Sequence, residues 1–228
     1  YQPRDDGNHR VVQLSQFLGL EDPAAPSLWF GEKQVIKAKS FIPQGGPVLG
    51  VGPTANWGGK QWPAGKFAEV VLRLTAPGAI LDGARVAVFG AQPERAAALP
   101  LLERIPRERR IDLVGQCDIL TAAACLQECS MFFGNDSGLM HLAAAVYTPT
   151  LGLFGPSRED LYSPWGDHCA VARTAASYAV LSAMPEFHPD RNDSLMESLS
   201  VDTVETAAID LWRAFHPEEA TSAAMAGR

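Results

Sequence analysis

No apolar run in the 228 residues approaches the roughly 18 needed to cross a bilayer as a helix, so the sequence offers no transmembrane segment. The N-terminus, Tyr1-Gln2-Pro3-Arg4-Asp5-Asp6, lacks the basic and apolar regions of a secretory leader. It also lacks an initiator Met, and the chain is expected to be a fragment. Basic charge is scarce: 19 Lys and Arg stand against 26 Asp and Glu, a net charge of -7, with no long basic run. That argues against nucleic acid as a partner. It does not argue against a nucleotide, because one Lys and a helix end suffice for a diphosphate. Cysteine is sparse. Cys117, Cys125, Cys129 and Cys169 form no CxxC pair, and no His lies near Cys125 and Cys129. They read as reduced, buried thiols of a cytoplasmic protein, and a zinc site is not supported.

What remains is an ordinary globular composition, 46% hydrophobic and 20% charged, long enough for one α/β domain with a sizeable core. Short apolar runs at 48–51, 86–89, 111–114, 131–133, 150–154 and 170–172 read as strands. Helical stretches separate them. Pro63 opens one whose stripe is Phe67, Val70, Val71 and Leu74, Pro93 opens an Ala-rich one to about Arg104, and a third spans 119–128. Apolar strands alternating with helices predict an α/β fold, a Rossmann-like parallel sheet with helices on both faces. Residues 1–45 read as a connector with a short helix at 11–20, Val12, Phe17 and Leu20 partly buried. The Pro and Gly cluster at 43–47 marks the boundary of a domain spanning 46–216. Residues 174–199 are polar and irregular. A last helix is expected at 203–215, with Asp202 and Glu205 resembling a capping box, and a disordered tail at 217–228.

The richest stretch is Gly134-Asn135-Asp136-Ser137-Gly138-Leu139-Met140-His141 with the Leu and Ala residues that follow. It reads as a strand, a tight turn and a helix start, where unpaired N–H groups and the dipole favour an anion. Asp136 reads as the N-cap, and Gly138 allows close approach. Leu139, Leu142, Ala143 and Val146 predict a core face, which aims Ser137 and His141 at the turn. The plainer alternative is a capped helix carrying a surface His. Lys60 can place a compact positive charge on a phosphate, or be a solvated loop Lys. Thr54 and Asn56 can add neutral hydrogen bonds. Glu94 can accept ribose hydroxyls, or only complement a helix dipole. Trp57 and Trp62 read as packing residues. His168, His188 and His216 are expected at the surface.

The segment Asn135–Ala143 resembles the signature of the ADP-heptose:lipopolysaccharide heptosyltransferase family, glycosyltransferase family 9. Two further blocks resemble it in order and spacing: Gly52-Pro53-Thr54-Ala55-Asn56-Trp57-Gly58-Gly59-Lys60-Gln61-Trp62-Pro63 and Leu151-Gly152-Leu153-Phe154-Gly155-Pro156-Ser157. The resemblance covers roughly residues 45–215 and implies the C-terminal, donor-binding half of a GT-B glycosyltransferase. Such an enzyme moves a heptose from an ADP-sugar to a lipopolysaccharide core acceptor, with inversion and no metal. The resemblance implies that Thr54, Asn56, Lys60, Ser137, Gly138 and His141 hold the diphosphate, that Glu94 contacts the nucleoside and that Asp136 fixes the turn. The catalytic base is expected in an N-terminal domain, so no catalytic residue is assigned here, and the chain is expected to bind donor without turnover. Residues 174–199 lack the Cys-containing loop of relatives, apart from an echo in Leu195-Met196-Glu197-Ser198-Leu199, which bears on the donor sugar. Lipid-linked acceptors make a peripheral place at the inner membrane an expectation beside a cytoplasmic one. A non-catalytic nucleotide-binding or scaffold module is the alternative. An epimerase or dehydrogenase would need an N-terminal GxGxxG, or Tyr and Lys at helical spacing, and neither is present.

Overall fold

The computed structural model describes residues 7–216, apart from 189 and 191; the expected tail at 217–228 lies outside the described residues. Six parallel strands form one sheet: β1 (Val48–Gly52), β2 (Arg85–Val88), β3 (Arg110–Asp112), β4 (Met131–Asn135), β5 (Thr150–Phe154) and β6 (Cys169–Arg173). Their order is β3-β2-β1-β4-β5-β6. The central strands β1, β4 and β5 are buried along their whole length. That is why they appear in the sequence as continuous apolar runs rather than alternating ones. The expected Rossmann-like sheet is present.

Helices cover both faces. On one lie α3 (Ala64–Leu74), α4 (Arg95–Leu102) and α9 (Val201–Phe215), packed through Phe67, Val71, Leu101, Leu211 and Trp212. On the other lie α2 (Glu32–Phe41), α5 (Ile119–Gln127) and α6 (Gly138–Ala145), packed through Ala38, Leu126, Met140 and Phe132. Where β1 and β4 pair, Gly52 stands beside Gly134. A Cβ on Gly134 would lie 2.7 Å from the Gly52 carbonyl oxygen and 3.0 Å from its Cα. The two strand ends approach closely because neither carries a side chain. Gly134→Ala is expected to destabilise the chain by about 1–3 kcal/mol, the usual cost of overpacking, read as a lower urea midpoint at constant m-value.

Several local expectations need correction. Helix α1 (Arg10–Phe17) forms, but Phe17 is 63% exposed and Leu20 44%. Gln13 and Ser15 are buried instead, because Gln13 Nε2 donates to the Asn8 carbonyl and Ser15 Oγ accepts from the Ala24 N–H. The stretch read as a connector also contains α2, which packs on α5. Ser200 caps α9, its Oγ accepting from the Thr203 N–H at 3.0 Å. Asp202 and Glu205 do not form a capping box. Both reach across to Arg73 of α3, at 2.7 Å each. Two short helices are also present, α7 (Glu159–Tyr162) and α8 (Tyr178–Ser182), the second within the stretch read as irregular.

Candidate functional site

In open α/β sheets ligands sit beyond the carboxyl ends of the strands where the strand order reverses. Here that point lies between β1 and β4. The chain after β1 forms the loop 53–63, and the chain after β4 turns at once into α6. Asn135, fully buried at the end of β4, joins the two. Its Oδ1 accepts from the Trp62 N–H at 3.0 Å, and its Nδ2 donates to the Pro53 carbonyl at 2.8 Å. The loop is pinned at both ends by one side chain. Trp62 is buried as expected and donates from Nε1 to the Leu199 carbonyl at 3.0 Å.

The polar stretch 187–199 supports the same loop from outside. Leu195 N–H donates to the Gly59 carbonyl at 3.0 Å, and Ser194 Oγ to that of Gln61 at 2.6 Å. Trp57 Nε1 donates to the His188 carbonyl at 3.2 Å. A Cβ on Gly58 would lie 2.5 Å from the Asn192 carbonyl oxygen, so this segment also fits only a glycine there.

Between the loop and α6 opens a cavity of about 700 Å³. Thr54, Asn56, Lys60, Glu94, Asp136, Ser137, Gly138 and His141 all line it, so topology brings together every predicted site residue. One end is polar. Thr54 Oγ1 and Ser137 Oγ are buried and have no hydrogen-bond partner among the described residues. Buried hydroxyls are ordinarily bonded, so two orphans on residues that line one cavity call for a ligand. Gly138 starts α6 with open space where a Cβ would stand. The other end is apolar, formed by Phe89, Leu113, Ile119 and Ala122 with Leu139 and Leu142. Those two leucines were expected in the core. Ala143 and Val146 of the expected face are buried, joined by Met140 and Ala144, while Leu139 and Leu142 pack half-buried at the core's edge and line the cavity.

Asp136 does not cap α6. Ser137 occupies the N-cap position in extended backbone, and no side chain bonds the first N–H groups. A carboxylate this buried needs a cation. Asp136 Oδ2 accepts from Lys60 Nζ at 2.7 Å, and His141 Nε2 lies 4.0 Å from Oδ1. The pair ties the β1 loop to the β4 turn. It uses one of the three Lys60 donors. The His141 side chain is 46% exposed, yet the part of its ring packed into the site lowers its pKa from the ordinary histidine value, while Asp136 pulls it up. Glu94 Oε2 accepts from the Ala91 N–H at 2.6 Å, so one oxygen closes the turn before α4.

His168 is not at the surface. It is 3% exposed, its Nε2 donates to the Ala144 carbonyl at 2.9 Å, and its ring stacks on Tyr147. His188 is exposed, and His216 is half-buried against Trp212. Cys125 and Cys129 are buried and their thiols pushed up, whereas Cys117 on the cavity wall is held low by a hydrogen bond with Cys125. Among the described residues no group of three or more His, Cys, Asp or Glu is placed to hold a metal, and no helix is long and apolar enough to cross a membrane.

Residues 9–190 match the sequence profile of glycosyltransferase family 9 (heptosyltransferase). The chain belongs to this family. It is 30% identical over 183 residues to lipopolysaccharide heptosyltransferase 2 of Salmonella typhimurium, covering 74% of this chain and 51% of that one. A solved family 9 glycosyltransferase from Veillonella parvula superposes with a TM-score of 0.75 at 22% identity, over 92% of this chain and 62% of its own. The E. coli ADP-heptose heptosyltransferase II superposes with a TM-score of 0.68 at 22% identity, over 86% and 56%. These likenesses agree with the fold expected of a GT-B half. The chain spans about half the length of the curated family 9 relatives that it matches. Asn135 and the stretch 187–194 were supports that sequence reasoning did not single out. Asn135 lay inside the signature, and the stretch bonds largely through main-chain groups, with the Ser194 hydroxyl the side-chain exception.

Proposed function

We propose that the chain is the donor-binding part of a heptosyltransferase, taking an ADP-sugar and stabilising the diphosphate as it leaves. The observation that carries this is the pair of orphaned hydroxyls of Thr54 and Ser137, two residues that line the same cavity as Lys60 and the uncapped start of α6. Fixed donors of this kind meet charge as it develops and need no reorganisation. The apolar end of the cavity suits a flat base, and the second Glu94 oxygen suits a ribose hydroxyl. ADP is the nucleotide named for the E. coli neighbour. In this reading Lys60 supplies the positive charge that a metal would otherwise supply. The acceptor is a lipid-linked lipopolysaccharide core glycan, and its activating carboxylate lies outside these residues. Transfer then takes place at the inner face of a membrane and needs that further part.

Titration calorimetry with ADP, UDP and GDP tests the reading, with EDTA present to remove free metal. ADP is expected to bind at least tenfold tighter than the other two, with or without EDTA. Equal affinity for all three, or no binding to a folded chain, would remove it.

The pH dependence carries a sign. In the free chain the lowered pKa keeps the His141 ring neutral at pH 7. A bound diphosphate would raise that pKa, so binding takes up a proton. ADP affinity is therefore expected to rise as pH falls through the bound-state value, and to level off below the free-state value. His141→Ala should abolish this component. The difference between the two proteins removes the titration of the nucleotide itself.

A further inference from the structure

Lysine is scarce in this chain, and three of its five lysines, Lys33, Lys37 and Lys39, lie on α2. That helix packs on α5 and buries only Ala38 fully. At about 100° per residue Ile36 lies nearly opposite Ala38, and it is 62% exposed. Lys33 and Lys39, both exposed, stand on either side of it. Glu32 is the one acid on the helix, in the first turn, where it complements the dipole. Directly ahead of the helix, Trp29 is 84% exposed. Its neighbours Leu28 and Phe30 pack against the core, so the chain between them holds Trp29 outward. The surface continues to the start of α5. There Ile119 is 65% exposed and lines the cavity between the β1 loop and α6. The Lys37 ammonium acts electrostatically on Cys117 and Asp118 just before it.

We propose that the surface formed by Trp29 and the outer side of α2 docks on an anionic phospholipid membrane. Trp and Lys are the side chains that settle together at headgroup level, the indole in the interface and the ammonium on lipid phosphate. A protein partner fits this surface less well. The core of a protein interface is depleted in lysine, and here lysines flank the apolar centre. The net charge of -7 repels an anionic membrane at long range, so attachment needs a local basic patch of this kind. One exposed indole, one Ile and three lysines give reversible attachment rather than insertion. The patch borders the cavity through Ile119, which would hold a donor site at the level of a lipid-linked acceptor. That role in transfer rests on the donor-binding reading; the lipid contact does not.

The test is co-sedimentation of the 228-residue chain with vesicles containing phosphatidylglycerol and with vesicles of phosphatidylcholine alone. The variants are Trp29→Ser, Lys33→Gln and Lys39→Gln. The chain is expected to bind the anionic vesicles at least tenfold tighter than the neutral ones, and added salt should weaken that binding. Trp29→Ser should weaken it about tenfold and each lysine substitution about fivefold. All three should leave ADP affinity unchanged. Bromine-labelled lipid should quench the tryptophan fluorescence of the parent chain, and Trp29→Ser should remove most of that quenching. Three results would overturn the proposal. One is equal binding to both kinds of vesicle, and another is variants that bind as tightly as the parent. The third is a folded chain that binds no vesicle, including the case in which Trp29 instead joins two copies in sedimentation velocity. ADP binding that persists in any of these cases leaves the nucleotide reading intact. Vesicle binding without ADP binding removes the nucleotide reading and keeps this one.

Discussion

Lys60→Ala is expected to weaken ADP binding by about 10- to 150-fold, the loss of one charged hydrogen bond at ~1.5–3 kcal/mol. Lost attraction is only part of the reason. Asp136 is 7% exposed at its side chain and holds Lys60 at 2.7 Å. Without Lys60 a buried carboxylate stands beside the place proposed for the diphosphate, and its charge repels the ligand. Adding Asp136→Asn to the Lys60→Ala chain should therefore restore several-fold of the lost affinity, a non-additivity expected of groups in one network. Calorimetry on the single and double variants reads both effects. If the double variant binds no better than Lys60→Ala, the repulsive part of this explanation is wrong. A Lys60→Ala chain that binds ADP as tightly as the parent would contradict the placement of the phosphate.

Asn135→Ala is expected to cost about 2–5 kcal/mol of stability. The side chain is fully buried and satisfies two backbone groups, the Trp62 N–H and the Pro53 carbonyl. Alanine leaves both without a partner in a place that water reaches poorly, and each such orphan costs roughly 1–3 kcal/mol. Asn135→Asp should cost at least as much, because it turns a carboxylate oxygen on the Pro53 carbonyl and buries a charge with no cation beside it. Urea unfolding followed by tryptophan fluorescence reads the loss. The loop that carries Lys60 is anchored by the same two bonds, so ADP affinity should fall as well in variants that remain folded. A change below about 0.5 kcal/mol, typical of a surface substitution, would mean that the loop holds its shape without Asn135.

Both experiments turn on contacts that could not be read along the chain. Lys60 and Asp136 are 76 positions apart. Topology brings them together, since each lies just past one of two adjacent strands. The convergence of the predicted residues was legible for that reason: parallel strands buried on both faces leave apolar runs, and the loops after them share one edge. The role of Asp136 was not legible. An Asp before a helix resembles an N-cap, but Ser137 takes that position in extended backbone and the carboxylate turns to Lys60. Helix α2 was missed because it buries only Ala38 fully and so shows almost no apolar period. His168 sits in a polar sequence, and only the fold shows that Tyr147 covers its ring. The stretch 187–199 looks like an unstructured loop because it works largely through carbonyls and N–H groups, which every residue has, with one serine hydroxyl besides.

A crystal structure of the chain soaked with ADP tests the central claim most directly. The expected result places the diphosphate within hydrogen-bond distance of Thr54 Oγ1, Ser137 Oγ and the first N–H groups of α6, with the base against Leu139 and Leu142. ADP bound elsewhere, or a cavity that stays empty at saturating ADP, would contradict it.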